Sequence, residues 1–150
     1  MGIVRKTAAV IAASGLMVGL SAVTASPASA DPWINHSQVL DISNPRTASS
    51  VNTSLGTVQI RYGTYQGRQY GWGRAMNVPP PSGGLYLRFE VDTDGNRIPD
   101  DSAHFNLGTD GFNWTAGYPT SSSSARAFRA CVLDLFENTC SEAGSRTPWW

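Results

Sequence analysis

The sequence predicts an all-β domain, a small antiparallel β-sandwich or barrel of about six to eight strands with one disulfide. The clearest sign is the stretch from Leu85 to Asp92. Leu85, Leu87, Phe89 and Val91 alternate there with Tyr86, Arg88, Glu90 and Asp92, the two-residue period of a strand with one buried face. Beyond residue 30 no window sustains the 3.6-residue apolar period of a helix, and glycine- or proline-containing breaks recur at short intervals. The third sign is a single pair of cysteines, Cys131 and Cys140, near the end of the chain.

Residues 1–30 read as a cleaved secretory signal peptide and stand outside the fold. Arg5 and Lys6 give a positive start, Thr7 to about Leu20 an apolar, alanine-rich run, and Ala28-Ser29-Ala30 before Asp31 a small-residue cleavage site. The run is broken by Ser14-Gly15, and no later stretch approaches the ~20 apolar residues that span a bilayer. Residues 31–150 are then expected as one secreted, extracellular β-domain, with no membrane insertion after cleavage.

Removing Arg5 and Lys6 from 11 basic residues leaves nine, all arginine, against 11 acids. A domain with no basic excess lacks the field that nucleic-acid binding requires, so nucleic acid is not an expected partner. An exported chain meets an oxidising environment, which makes Cys131–Cys140 a disulfide by default. Closing a ring of ~10 residues is worth about 2.5–3 kcal/mol by the chain-entropy argument. The C-x8-C spacing with no neighbouring histidine matches no standard zinc site.

Along the chain, Trp33 to Ile42 is expected as one edge strand ended by Asn44-Pro45, and polar Arg46 to Ser54 as a loop. Val58, Ile60 and Tyr62 face one way in the next strand, with Thr57, Gln59 and Arg61 on the other side. Gly63 to Gly67 reads as a turn, so 57–62 and 69–76 form a hairpin with a five- or six-residue loop. Tyr70, Trp72, Arg74 and Met76 share a face, and Gly71 and Gly73 leave the opposite face bare, which suits a bulge or the close approach of another backbone. Pro79-Pro80-Pro81 is a stiff connection. After the strand at 85–92 come a return strand at about 103–107, a short one over 112–118, a flexible Ser121–Ser124 and a last strand at 125–134.

Two groups of residues invite a functional reading. Asp92, Asp94, Asn96, Asp100 and Asp101 crowd one loop, and oxygen-only ligands of this kind suit calcium, while Asp-Gly and Gly-Asn are also favoured hairpin turns. Tyr65, Tyr70, Trp72 and Trp114 are candidates to bind a ligand by stacking, and equally ordinary core or cross-strand residues. Tyr65 and the terminal Trp149-Trp150 are those most expected to be exposed. For catalysis the sequence offers no nucleophile elbow or zinc-protease helix, only His36, His104 and abundant serines.

The run Asp92-Thr-Asp94-Gly-Asn96-Arg-Ile98-Pro-Asp100-Asp101 resembles the calcium loops of thrombospondin type 3 repeats and dockerins. The resemblance implies side-chain ligation by Asp92, Asp94 and Asn96, a carbonyl from Ile98, and closure by Asp100 or Asp101, with calcium in a structural role. Arg97 stands where those loops have glycine, Ala103 where a closing glutamate belongs, and the loop is not repeated. Separately, Gly56-Thr-Val-Gln-Ile-Arg-Tyr62 with Trp72-Gly-Arg74, and Arg129-Ala-Cys131-Val with Cys140, resemble segments of small secreted proteins of high-GC Gram-positive bacteria. That resemblance implies an extracellular bacterial β-domain and carries no catalytic residues. The expected function is a non-catalytic binding module of the medium or cell envelope, whose partner is a carbohydrate, the cell wall or a secreted protein. The alternatives are an inhibitor of an extracellular hydrolase, presenting Leu135 to Thr139 inside the disulfide ring, and a small secreted hydrolase.

Overall fold

Two four-stranded antiparallel sheets organise residues 31–80 and 83–150, the residues described by this computed structural model. The strands are β1 (Ser43–Thr53), β2 (Gly56–Tyr65), β3 (Arg68–Met76), β4 (Tyr86–Asp92), β5 (Asp101–Asn106), β6 (Tyr118–Pro119), β7 (Ala127–Leu133) and β8 (Ser145–Arg146). The first sheet runs β1-β2-β3-β6 and the second β5-β4-β7-β8. Among the described residues the only helix is one turn, α1 (His36–Val39). The expected signal peptide lies outside the described residues, as do Pro81 and Ser82.

The sheets pack face to face through the alternating side chains that the sequence marks. Val58 and Ile60 of β2 and Ala75 of β3 meet Leu87, Phe89 and Val91 of β4 and Phe128, Ala130 and Val132 of β7. Gly71 and Gly73 turn their bare face inward. A Cβ on Gly71 would lie 2.8 Å from the Phe128 ring, closer than atoms pack. Trp72 and Arg74 consequently point to the outer face of the first sheet.

Several boundaries differ from expectation, each for a local reason. Arg46 to Ser54 is not a loop but most of β1, an edge strand whose side chains are largely exposed, so it needs no apolar alternation. Its ladder is irregular between Ser43 and Arg46, beside Asn44 (φ 52°) and Pro45, as befits a protected edge. Trp33 to Ile42 is not an edge strand. Ile34 makes one bridge to Gly117, and α1 follows, capped reciprocally by Asn35 and Gln38.

The first hairpin closes tighter than expected, through Gln66-Gly67 alone. Both have positive φ (48° and 80°), the conformation whose twist matches the flanking strands. Gly63 and Tyr65 therefore belong to β2 rather than to the turn. The 112–118 strand reduces to an Arg74–Trp114 bridge and β6, and the return strand begins earlier, at Asp101. The chain then continues along β7 through β8. Thr147 and Trp150 donate to the Ala130 and Phe128 carbonyls. This end pairing brings Trp150 against Tyr62, ring centroids 5.2 Å apart, and sets Arg129 over the Trp149 ring at 4.4 Å.

Candidate functional site

Cys131 and Cys140 form the expected disulfide, with Cα atoms 5.4 Å apart. It pins the segment 134–144 across the outer face of the second sheet. Beneath that segment lies a buried ion pair that sequence reasoning missed. Glu90 is fully buried, and its Oε2 accepts from Arg129 Nη2 at 2.6 Å and from Nε at 3.0 Å. Its Oε1 accepts from Arg88 Nε at 3.0 Å and from the Cys140 amide at 2.9 Å. The strand pattern gives Glu90 an outward direction but says nothing of what covers it.

Above this anchor the ring presents its tip. Leu135 and Phe136 are 72% and 90% exposed. The surrounding amides are held by acidic side chains. Asp134 accepts from the Phe136 amide, Glu137 from that of Asp134, and Glu142 from those of Asn138 and Thr139. A cavity of about 440 Å³ runs alongside, lined by Tyr86, Arg88, His104, Leu133, Asp134, Leu135, Glu137 and Asn138. The loop is thus rigid at its base and apolar at its point.

The acidic loop is built differently from a row of free carboxylates. Asp92 is buried. One of its oxygens accepts from the Asp94 and Gly95 amides, the other from the Arg97 amide and guanidinium at 2.8 and 2.7 Å. Burial works against its ionisation, but the Arg97 guanidinium and then the amides of Gly95, Arg97 and Asp94 outweigh it and hold the carboxyl at about 2. Asp100 is also held low, chiefly by the Thr93 hydroxyl and amide. Asp94 and Asn96 accept from the Asn96 and Ile98 amides.

Oxygens of Asp92, Asp94 and Asp100 converge within 4.8 Å of one another. Asp101 does not join them. It sits on β5 and accepts from the Trp33 indole at 2.7 Å. Arg97 adopts φ 64°, the left-handed conformation that glycine supplies at that place in the loops it resembles. The donor set suits a cation, yet Asp92 already has four protein donors and the Arg97 charge.

Tyr65, Tyr70, Trp72 and Trp114 do come together, around the buried side chains of Ile34, Val39 and Ile42 under α1. Trp72 is 5% exposed, and Trp114 is half-buried with its indole donating to the His36 carbonyl. Packing buries Trp72, while Tyr65, Tyr70 and Trp114 stay partly exposed. His36 is itself packed between Phe105 and Phe112. His104 is exposed, and among the described residues no hydrogen bond joins it to Ser102 or to a carboxylate. Glu90 and Asp92, neighbours on one strand face, are each sealed against arginine and offer no carboxylate pair to a substrate.

Two antiparallel sheets around one core, with a disulfide-ringed loop over the second sheet, define a small disulfide-bonded β-sandwich domain. No family profile, curated protein or solved structure matches the chain. No helix among the described residues is long and apolar enough to cross a membrane.

Proposed function

We propose that residues 31–150 are a secreted binding module of the medium or cell envelope, and that it grips a protein partner through Leu135 and Phe136. The observation that carries this reading is a large aromatic side chain 90% exposed on a loop closed by a disulfide. Exposing a phenylalanine costs solubility, and a loop already ordered loses little entropy when it docks, so the arrangement favours binding over stability. Aromatic anchors of this kind supply much of the energy in protein interfaces. The partner complement is an apolar pocket that admits one ring, flanked by groups that fill the cavity beside His104.

The test compares the immobilised protein with its Phe136→Ser variant against medium and envelope extracts of the producing cells. The reading expects one protein retained by the native chain and lost by the variant, and the same pair binding when both are purified. Equal retention by the two would sink it. Intact mass of the protein recovered from the medium should correspond to a chain beginning at Asp31.

The same rigid, disulfide-bounded loop favours a second reading, inhibition of an extracellular hydrolase by insertion of the tip into its substrate cleft. Stoichiometric loss of a secreted protease's activity, absent with Phe136→Ser, would select that reading over simple adhesion.

A further inference from the structure

A second cleft lies on the outer face of the first sheet, and its chemistry is unlike that of the loop tip. It holds about 280 Å³, and its lining combines apolar Leu40, Ile42 and Pro45 with Arg61 and Arg74, beside Trp72 and Trp114. The hairpin register explains why two arginines meet here. Arg61 stands opposite Trp72, which makes Arg74 its diagonal neighbour on the same face, about 7–8 Å away along the backbone.

Neither arginine has a carboxylate partner among the described residues, and no acid lines the cleft. Arg61 donates one Nη1 bond to the Thr47 hydroxyl at 2.7 Å, while its Nε is buried without a partner. Burial first, and the Arg74 charge second, lower the Arg61 pKa below its ordinary value. Arg74 makes no side-chain hydrogen bond or ion pair among the described residues. On the second sheet, by contrast, Arg88 and Arg129 are both paired with Glu90. Two like charges left side by side in a cleft otherwise lined largely by apolar side chains are complementary to an anion with an apolar body.

We infer that this cleft binds an oxyanion, a carboxylate or a phosphate, carried on a short apolar chain or ring. The guanidiniums hold the charged end. Leu40, 67% exposed at the mouth, covers the apolar end. This ligand site stands apart from the docking tip, so either can fail without the other.

The experiment is an NMR titration of the purified protein, disulfide intact, following the Trp114 indole and Arg61 Nε signals. The probes are hexanoate, hexyl phosphate, inorganic phosphate and neutral hexanol. Hexanoate or hexyl phosphate should bind at least about ten-fold more tightly than hexanol. The tighter of the two names the oxyanion. Arg74→Gln should lose at least about ten-fold for that probe with an unchanged melting temperature. Leu40→Ser, at an exposed position, should weaken the alkyl probes and leave inorganic phosphate unaffected. Hexanol binding as well as hexanoate, full retention of binding in Arg74→Gln, or no shift with any probe up to about 20 mM would overturn the inference.

Discussion

Glu90 and Arg129 face each other across β4 and β7, and both are shut off from solvent with carboxylate and guanidinium 2.6 Å apart. Because Glu90 also accepts the Cys140 amide, this pair fastens the loop that carries Leu135 and Phe136. Breaking a buried pair from one side leaves an uncompensated charge, at a cost of about 3–5 kcal/mol. Glu90→Ala should therefore lose that much in urea unfolding, a large part of a small domain's stability. The double replacement Glu90→Leu with Arg129→Met should recover only the part owed to the stranded Arg129 charge, because Arg88 and the Cys140 amide still lose their acceptor. Losses that simply add would contradict the coupling.

The disulfide encloses a short ring, its cysteines nine positions apart. Replacing both cysteines by serine should lower stability by about 2.5–3 kcal/mol on the chain-entropy account. The folded remainder should still melt as one unit, and binding through Phe136 should weaken more than stability does, since the loop would then have to be ordered on docking. Equal partner affinity with and without the disulfide would show that the ring does not organise the tip.

Close approach of the sheets rests on Gly71. Gly71→Ala puts a methyl group against the Phe128 ring and should cost about 1–3 kcal/mol. Gly144→Ala meets nothing within 4 Å and should leave the melting temperature almost unchanged. Indistinguishable melts of the two variants would mean the sheets separate more readily than their packing indicates.

Asp92 titrates at about 2 in the folded protein against an ordinary 3.8. Its contribution to stability is therefore complete above pH 4 and lost as the pH falls from about 4 through 2. Asp92→Asn should destabilise the protein at neutral pH and flatten the acid limb of the stability curve. Since Arg97 already supplies a positive charge to Asp92, millimolar calcium is expected to move the melting temperature by less than about one degree relative to chelator. A shift of several degrees that vanishes in Asp94→Asn would place an ion in the loop instead.

The strands at β2, β3, β4 and β7 were legible because apolar residues alternate in each, although β7 proves buried on both faces, and the bare glycine face of β3 is met by the side chains of Phe89 and Phe128 rather than by another backbone. β1 was not, since an exposed edge strand carries no apolar rhythm and its serines and threonines read as a loop. The helical turn at His36 is too short to show a period. At the sites, the six acidic-loop positions were visible as composition, but only the fold shows that Asp101 turns away to Trp33 and that Arg97 closes on Asp92. Arg61 was placed on the face opposite Val58 and Ile60, and Arg74 on one face with Trp72, yet their meeting depends on the two-residue turn at Gln66-Gly67, which a longer assumed loop obscured. Burial of Glu90 depends on a segment some fifty positions away, beyond any local pattern.

The claim that matters most is that Phe136 is where this module meets its partner. A photo-crosslinking amino acid placed at Phe136, and as a control at exposed Gln66, can be tested on producing cells under illumination. The account predicts one discrete crosslinked adduct from position 136 and none from position 66. No adduct from position 136, or the same adducts from both positions, would contradict it.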